Sequence, residues 1–265
     1  MKHAAVSEAH AAYLRRIRRD ARAVVLCRIA VLIGFLLLWE LGADLRWFDP
    51  FILSSPSRVI ATVVRLYADG SLWLHVGTTL LETVLGFLLG TLLGALSAVL
   101  LWWMPKLNRI LDPYLVVLNA LPKIALGPVL IVWIGAGMAS IVVMGVLVSL
   151  VVTTVTVLNG FLAATDEKQL LMRTLGATKL QIFTKVVLPA GVPDLISALK
   201  ISVGMSWVGV IVGEYLVSKA GLGYLIVYGG QVFKLDLVMA SVTVLCVLAA
   251  LMYYAVAFLD KKVRR

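Results

Sequence analysis

The residues that most often carry chemistry in proteins are few in this chain and form no recognisable reactive set. The three histidines, His3, His10 and His75, are scattered, and the two cysteines, Cys27 and Cys246, lie in separate apolar runs. No nucleophile motif and no carboxylate pair of defined spacing is present, so neither a catalytic centre nor a metal site is predicted. The sequence also lacks a Gly-x-x-x-x-Gly-Lys-Ser/Thr phosphate-binding loop, which argues against nucleotide hydrolysis by this chain.

The most informative polar segment spans residues 170–189 and reads LLMRTLGATKLQIFTKVVLP. Four basic residues lie in it or beside it, namely Lys168, Arg173, Lys179 and Lys185. Asp166 and Glu167 suit a helix N-terminus, and Gly176 predicts a turn between this helix and a second one. The second helix is more apolar, and we expect it to end at Pro189, with Pro193 in the first turn of the next helix. A polar segment between two long apolar runs lies in water, where contact with a soluble partner is the simplest role.

The composition places this segment in a membrane protein. Hydrophobic residues make up 62% of the chain and charged residues only 14%, with a mean hydropathy of +1.01, which leaves too little polar surface for a water-soluble globule. Runs of about 20 mainly apolar residues predict spanning helices. We predict six spans in an all-α, polytopic fold, in 23–39, 83–104, 113–134, the second part of 124–165, 195–217 and 237–259. A Gly135-Ala136-Gly137 turn divides the 124–165 run.

The distribution of Lys and Arg predicts the orientation of these spans. With the N-terminus in the cytoplasm, 17 basic residues fall on inside segments and 5 on outside segments, so both termini are predicted to be cytoplasmic. Residues 1–22 are rich in arginine and carry Tyr13, Leu14 and Ile17 at helical spacing. This pattern predicts an amphipathic helix on the inner membrane surface, ahead of one membrane domain over 23–265. The net charge of +10 therefore reflects topology and membrane lipid, and no nucleic-acid partner is predicted.

The second predicted span carries a pattern for helix packing. Gly86, Gly90 and Gly94 lie four residues apart and therefore close to one helix face. Small residues at this spacing allow the backbone of another helix to approach closely, so we predict a packing face here.

Five residues in or beside the spans are candidates for lining a pathway through the membrane: Glu82, Asn119, Lys123, Trp207 and Glu214. Glu82 suits a solvated position at the outer interface, which we favour, or a pathway role. Glu214 suits a gate at the outer mouth, an ion pair with Lys219 or an interface anchor. Lys123 would hold the bend at Pro122, meet an anion or extend to the inner surface, the last being favoured. Hydrogen bonding between helices is the expected role of Asn119, and Trp207 is the aromatic side chain that we assign to the pathway.

The segment 170–189 resembles the cytoplasmic loop of ATP-binding-cassette (ABC) importer permeases. That loop, called the EAA loop, reads Glu-Ala-Ala, three residues, Gly, nine residues, Ile, one residue and Leu-Pro. Here Gly176 is followed by nine residues, starting at Ala177, and then by Val186, Val187, Leu188 and Pro189. The Glu-Ala-Ala start is replaced by Leu170, Leu171 and Met172.

Other segments resemble the sulfonate, taurine and nitrate branch of these permeases. They are Ala-Leu-Pro-Lys-Ile-Ala-Leu-Gly-Pro over 120–128, Trp133-Ile134-Gly135, Gly213-Glu214-Tyr215-Leu216, Gly221-Leu222-Gly223-Tyr224 and Leu53-Ser54-Ser55-Pro56. The resemblance extends over nearly the whole chain from about Trp39.

This resemblance implies the fold of a type I importer permease, with a coupling loop over 166–189, in the inner membrane of a prokaryote. It further implies a dimer of permease subunits, two ABC ATPases docked beneath it and an external substrate-binding protein. ATP and Mg²⁺ would be bound by the ATPase, so this chain would need no cofactor and would not be an enzyme. The implied substrate is a small solute such as a sulfonate, taurine, nitrate or a similar anion. The alternative is an ion-coupled secondary transporter, for which inverted repeats and midplane charges would be expected.

Overall fold

The computed structural model describes residues 8–164 and 166–263, which fold into helices joined by short turns. The α-helices are α1 Glu8–Asp44, α2 Pro50–Leu53, α3 Pro56–Ala68, α4 Ser71–Trp103, α5 Pro105–Ala120, α6 Gly127–Ile134, α7 Met138–Leu162, α8 Asp166–Thr174, α9 Lys179–Ile182, α10 Leu188–Val217, α11 Leu222–Gln231 and α12 Leu235–Val263. A 3-10 helix, Lys123–Leu126, precedes α6, and a π-helical stretch, Phe183–Val187, joins α9 to α10. Of the predicted surface helix 1–22, residues 1–7 and the side chains of 8–12 and of Arg18 lie outside the described part, and the backbone from Glu8 onward belongs to α1.

Five helical segments are long and apolar enough to cross a membrane, and a bent helix pair makes a sixth if it counts as one span. The five are Tyr13–Asp44 of α1, α4, α7, the continuous helix Lys179–Val217, and Leu235–Phe258 of α12. The predicted all-α, polytopic fold is therefore confirmed. Gly135 and Gly137 both have positive φ and form the turn before α7, as the sequence predicts.

The predicted span over 113–134 begins earlier, at Pro105, and is a bent helix pair, since α5 and the segment Lys123–Ile134 meet at 87°. Pro113 lies inside α5 without ending it. The break comes instead at Leu121, whose backbone is extended (φ −65°, ψ 133°), the conformation favoured before a proline. Pro122 then has no N–H with which to continue the hydrogen bonds of α5.

The predicted helix end at Pro189 is wrong. The helix Lys179–Val217 continues through both Pro189 and Pro193. The π-helical stretch shifts the hydrogen bonding, so that the Leu188 N–H binds the carbonyl of Phe183. Pro189 follows in the first turn of α10, where a missing N–H is tolerated. The second helix of the loop is therefore continuous with the membrane-spanning helix α10.

Helix α7 lies between α4 and α10 and packs most extensively against both. All three helices carry a glycine at the same crossing. A Cβ atom on Gly86 would lie 3.3 Å from the Cα of Gly145, and one on Gly209 would lie 2.7 Å from that same Cα. The predicted packing face of α4 is confirmed, and its partner is α7.

Small polar residues continue this contact toward the other end of the three helices. Ser149 and Thr153 of α7 lie against Gly90 and Gly94 of α4, where a Cβ atom would overlap their side chains. The Thr154 hydroxyl donates to the Gly94 carbonyl (3.2 Å), and the Thr153 and Ser202 hydroxyls are 2.6 Å apart. Because lipid gives helices no hydrophobic reason to associate, close backbone contact and hydrogen bonds of this kind stabilise the bundle.

Helix α12 is held near both ends by ion pairs. At its start, Asp236 accepts from Arg58 of α3 (2.8 Å) and from the Ser54 hydroxyl (2.7 Å). Near its end, Asp260 lies 2.5 Å from Lys200 of α10. These pairs fix α12 against two neighbours over about 36 Å of helix length.

The glycine crossing yields a prediction with a matched control on the same helix. Gly209→Ala should lower the free energy of unfolding by about 1–3 kcal/mol, because its Cβ meets the rigid backbone of α7. Gly204→Ala, where nothing lies within 4 Å, should be neutral or stabilise by up to about 1 kcal/mol through helix propensity. Thermal denaturation in detergent measures both. Equal effects of the two substitutions would contradict the close packing at Gly209.

Candidate functional site

The segment 166–189 has a defined local structure on the side of the bundle where α7 ends and α10 begins. Its first helix, α8, ends in a Schellman motif, in which Gly176 has φ 77°. The Gly176 N–H binds the carbonyl of Arg173 (3.0 Å), and the Ala177 N–H binds that of Met172 (2.9 Å). Thr178 and Gln181 then form a capping box that starts α9. The predicted helix, glycine turn and second helix are all present.

An aromatic cluster attaches this loop to the spanning helices. Phe183 packs against Trp102 and Trp103 of α4, with ring centroids 4.9 and 6.0 Å away, and against Phe161 of α7 at 5.6 Å. Lys179 donates to the Trp103 carbonyl (2.5 Å) and lies over both indole rings at 5.7 and 5.4 Å. Apolar packing, a hydrogen bond and cation–π attraction together hold the loop rigidly against α4 and α7.

The outward face of the loop is apolar with a basic rim. Leu170, Leu171, Leu175 and Leu180 are between 59% and 73% exposed. Lys168, Arg173 and Lys185 are exposed around them. A group of exposed leucines on a polar segment between two spanning helices suits contact with another protein, and the basic rim favours an acidic partner.

The residues assigned to this loop by sequence divide into two groups. Leu170 and Leu171 face outward, and Pro189 is exposed. Met172, Ala177 and Leu188 pack against the buried cluster that contains Trp102 and Phe183, and Val186 is half-buried. Sequence reasoning missed Leu175 and Leu180 in the outward group and Phe183 in the anchor. The four-residue spacing of Leu175 from Leu171 and of Phe183 from Lys179 was the available signal for two of them.

A second polar cluster lies at the other end of the bundle, where α10 is followed by α11. Three consecutive backbone N–H groups at the start of α11 are bound by side chains. The Gly221 N–H binds His75 Nδ1 (3.0 Å), the Leu222 N–H binds Thr79 Oγ1 (2.7 Å), and the Gly223 N–H binds Glu214 Oε2 (2.6 Å). These bonds satisfy amides that a helix N-terminus leaves free, and they attach α11 to α4 and α10.

Glycine is required at two of these positions. A Cβ atom on Gly221 or Gly223 would overlap the carboxyl group of Glu214, and Gly221 also has φ 119°. The spacing Gly213-Glu214 followed by Gly221-Leu222-Gly223 thus encodes an anchor for α11. Of the roles considered for Glu214, this is closest to the interface anchor, because Glu214 binds backbone amides of α11.

Glu82 lies beside this anchor, in side-chain contact with Glu214. The two carboxyl groups are 2% and 1% exposed, and one oxygen of each, Glu82 Oε2 and Glu214 Oε1, has no hydrogen-bond partner among the described residues. The expectation of a solvated Glu82 is therefore wrong. The start of α11 binds Thr79, one turn before Glu82 on α4, and this long-range contact is not visible in the local sequence around Glu82.

Asn119 and Lys123 come together at the break between α5 and α6. The Lys123 ammonium group donates to the Asn119 carbonyl (3.1 Å), so the lysine bridges the bend rather than extending toward a membrane surface. The Asn119 side chain is exposed. Trp207 lies elsewhere, buried at 6% exposure among Phe87, Val203 and Val256, and its indole N–H has no hydrogen-bond partner in the described chain.

Comparison with known proteins gives a consistent family match. Residues 90–265 match the family described as binding-protein-dependent transport system inner membrane component. A probable ABC transporter permease protein of Haemophilus influenzae is 34% identical, over 86% of this chain and 93% of its own length. The formylaminopyrimidine transport permease protein ThiX of Halalkalibacterium halodurans is 30% identical over 71% and 75% of the two chains. The taurine transport permease TauC of Escherichia coli is 24% identical over 88% and 87%.

Among solved structures, the fold is similar to a chain of the MetNI methionine ABC transporter in an inward-facing conformation. The TM-score is 0.64 and the sequence identity 23%, over 73% of this chain and 98% of the other. At this level of identity the similarity concerns the fold.

The anchor at Glu214 yields a prediction. Glu214→Ala removes the acceptor of the Gly223 N–H and should lower the free energy of unfolding by about 1–3 kcal/mol. Hydrogen exchange should rise in α11, measured by mass spectrometry. Glu214→Gln keeps an acceptor oxygen of the same reach and should retain the protection of α11. Equal loss of protection in both variants would contradict the hydrogen-bonded anchor.

Proposed function

Because this chain belongs to the family of binding-protein-dependent transport system inner membrane components, as a permease subunit of an ABC importer, we propose that it docks its ATPase through the loop 166–189. The exposed leucines of this loop are the observation that carries the proposal. The aromatic cluster fixes the loop to the bundle, since Met172 of α8 packs against the cluster and Phe183 contacts Trp102 of α4 and Phe161 of α7. A displacement of α8 would therefore be transmitted to these helices and, through the π-helical stretch, to α10. Because the chain belongs to this family, we do not retain the alternative of an ion-coupled secondary transporter.

The complex that we propose contains two copies of this chain, two ATPase subunits and an external binding protein. Each loop docks on one ATPase subunit, and the ATPase binds ATP and Mg²⁺. This chain contributes no nucleotide site. The excess of basic residues on the termini, the loop and the segment between α4 and α5 supports cytoplasmic termini and a cytoplasmic loop. The segment with α2, α3 and the anchored start of α11 then faces the binding protein on the outer side of the prokaryotic inner membrane.

The proposed substrate is a small anion of the sulfonate, taurine or nitrate kind. The similarity to TauC supports this class. The similarity to a formylaminopyrimidine permease favours a second class, nitrogen heterocycles without a sulfonate group. The two classes differ in charge, so a basic residue in the pathway would serve only the first.

Reconstitution in liposomes tests the proposed function. The purified permease alone should hydrolyse no ATP, and the permease with its cognate ATPase should hydrolyse ATP faster when loaded binding protein is added, because delivery favours the transporting conformation. Uptake of the ligand carried by that binding protein should require ATP. Uptake without ATP, driven by a proton or sodium gradient, would contradict the importer mechanism.

The loop itself is tested by two substitutions at Gly176. A Cβ atom there meets nothing within 4 Å, so only the left-handed backbone limits the side chain. Gly176→Val should misplace α8 and abolish ATPase co-purification, because a β-branched residue strongly disfavours positive φ. Gly176→Asn should retain most of the assembly, since asparagine tolerates this conformation. Full assembly of the valine variant with its ATPase would refute docking through this loop.

A further inference from the structure

The carboxyl groups of Glu82 and Glu214 meet in the interior of the bundle, beside the start of α11. The two residues are 2% and 1% exposed, and their side chains lie within hydrogen-bonding reach of each other. One oxygen of each, Glu82 Oε2 and Glu214 Oε1, has no partner among the described residues. Buried polar atoms are nearly always hydrogen-bonded, and ionised carboxyl groups only accept. This contact therefore needs a donor that two ionised groups do not provide.

No cationic side chain supplies this donor. In the described chain, neither carboxyl group forms an ion pair with a lysine or arginine, and Lys200 is bound to Asp260. Lys219, which follows α10, is exposed. Helices α6, α7 and α11 contain no acidic, basic or histidine residue, and the arginines of α3 bind other side chains. A metal ion needs at least four ligands, whereas this contact offers two unpartnered oxygens.

The other titratable groups around the pair add no positive charge. His75 accepts an N–H of α11 at Nδ1, so its own proton is on Nε2 and the ring is neutral. Tyr224 of α11 stacks on His75 with the ring centroids 6.0 Å apart, and Tyr215 follows Glu214 on α10. Phenol groups are ordinarily neutral at physiological pH. Asp69, which interacts with His75 from the end of α3, is exposed and acidic.

The donors around Glu214 identify it as the ionised member of the pair. Its Oε2 accepts the Gly223 N–H at 2.6 Å, and the start of a helix favours a negative charge. The Thr79 hydroxyl accepts the Leu222 N–H, so its own proton is free for the Glu214 carboxyl group that it faces. Glu82 has no such donors, since its polar contact among the described residues is Glu214 itself.

We infer that Glu82 and Glu214 form a proton-binding site, in which Glu82 carries the proton and donates a hydrogen bond to the ionised Glu214. Two carboxyl groups in contact at this burial cannot both be ionised without a counter-charge. With one proton the pair keeps a single negative charge, which the start of α11 binds. Loss of the proton would place two like charges at the anchor and loosen α11. The inference is independent of the proposed function, because it involves neither the ATPase nor the substrate.

Infrared spectroscopy of the full chain in lipid nanodiscs detects the proton directly. A protonated carboxyl group has a carbonyl band that is separate from the carboxylate bands, and isotope-labelled glutamate shifts the bands of glutamate but not those of aspartate. At neutral pH we expect a shifted acid band with the intensity of one glutamate. This measurement needs no substitution. Absence of the acid band would refute the shared proton, and carboxylate bands that instead respond to added Na⁺ or Ca²⁺ would indicate a bound metal ion.

Substitution identifies the residue that carries the proton. Glu82→Gln should remove the acid band, and it should preserve the attachment of α11 because the amide still donates a hydrogen bond to Glu214. The matched control is Glu167→Gln on α8, an exposed glutamate outside the spanning helices, which should leave the acid band unchanged. An acid band that survives Glu82→Gln would refute the assignment of the proton to Glu82.

Hydrogen exchange of α11 provides a second measurement. When α11 opens, both carboxyl groups meet water and are ionised at neutral pH, so opening releases the proton and becomes easier as the pH rises. Above about pH 7, the opening constant of α11 should increase by up to about tenfold per pH unit, after correction for the intrinsic exchange rate. Free histidine is largely neutral in this range, so His75 adds little to the slope. Helix α7, which has no titratable side chain, serves as the internal reference.

The same measurement on Glu82→Gln separates the proton from other effects of pH. The variant should show no dependence of α11 opening on pH, because no proton is released from the pair. An opening constant of the unsubstituted chain that does not change with pH, or equal slopes in the two proteins, would overturn the inference.

Discussion

The contact of three glycine backbones, Gly86, Gly145 and Gly209, is the constraint on which the rest of the structure depends. In lipid, helices gain little from burying apolar side chains against one another, so their association needs close packing and hydrogen bonds. Without Cβ atoms at this crossing, α4 and α10 both approach the backbone of α7. The positions of the loop 166–189 and of the polar cluster at the start of α11 follow from this arrangement, because each is attached to the ends of these same helices.

Helix α10 connects the two clusters physically. With the residues of α9 and the π-helical stretch, it forms 39 continuous helical residues from Lys179 to Val217, about 58 Å in length. Lys179 and Phe183 near one end hold the loop 166–189 against α4, and Glu214 near the other end holds α11. A displacement of the loop is therefore a displacement of the same rod that anchors α11. For a permease that must connect ATP hydrolysis on one side to substrate entry on the other, this is a direct mechanical link.

The features of this arrangement that are encoded within a few residues could be predicted from the sequence. The glycines of α4 predict a packing face, and Gly176 predicts a turn, because each feature is encoded within a few residues. The bend at Pro122 was expected, but its angle of 87° and the start of the helix at Pro105 were not, because the same helix accommodates Pro113 and ends before Pro122, and only tertiary context decides between the two prolines. The burial of Glu82 was not predictable, because Glu214, which it contacts, lies on a distant helix. The ion pair of Lys200 with Asp260 was not predictable for the same reason. A charge in an apolar run indicates that a partner exists, but it does not identify the partner.

The proposed docking site of the ATPase is the leucine surface of the loop, which the aromatic cluster holds in place. Site-specific photo-crosslinking is its sharpest test, with a benzophenone amino acid placed at position 175 in the assembled transporter. Docking through the loop predicts a crosslink from position 175 to the ATPase, and none to the ATPase from position 132 on α6, which is at least as exposed but lies in a predicted span. A complex that co-purifies with its ATPase but gives no crosslink from position 175 would contradict docking through this surface.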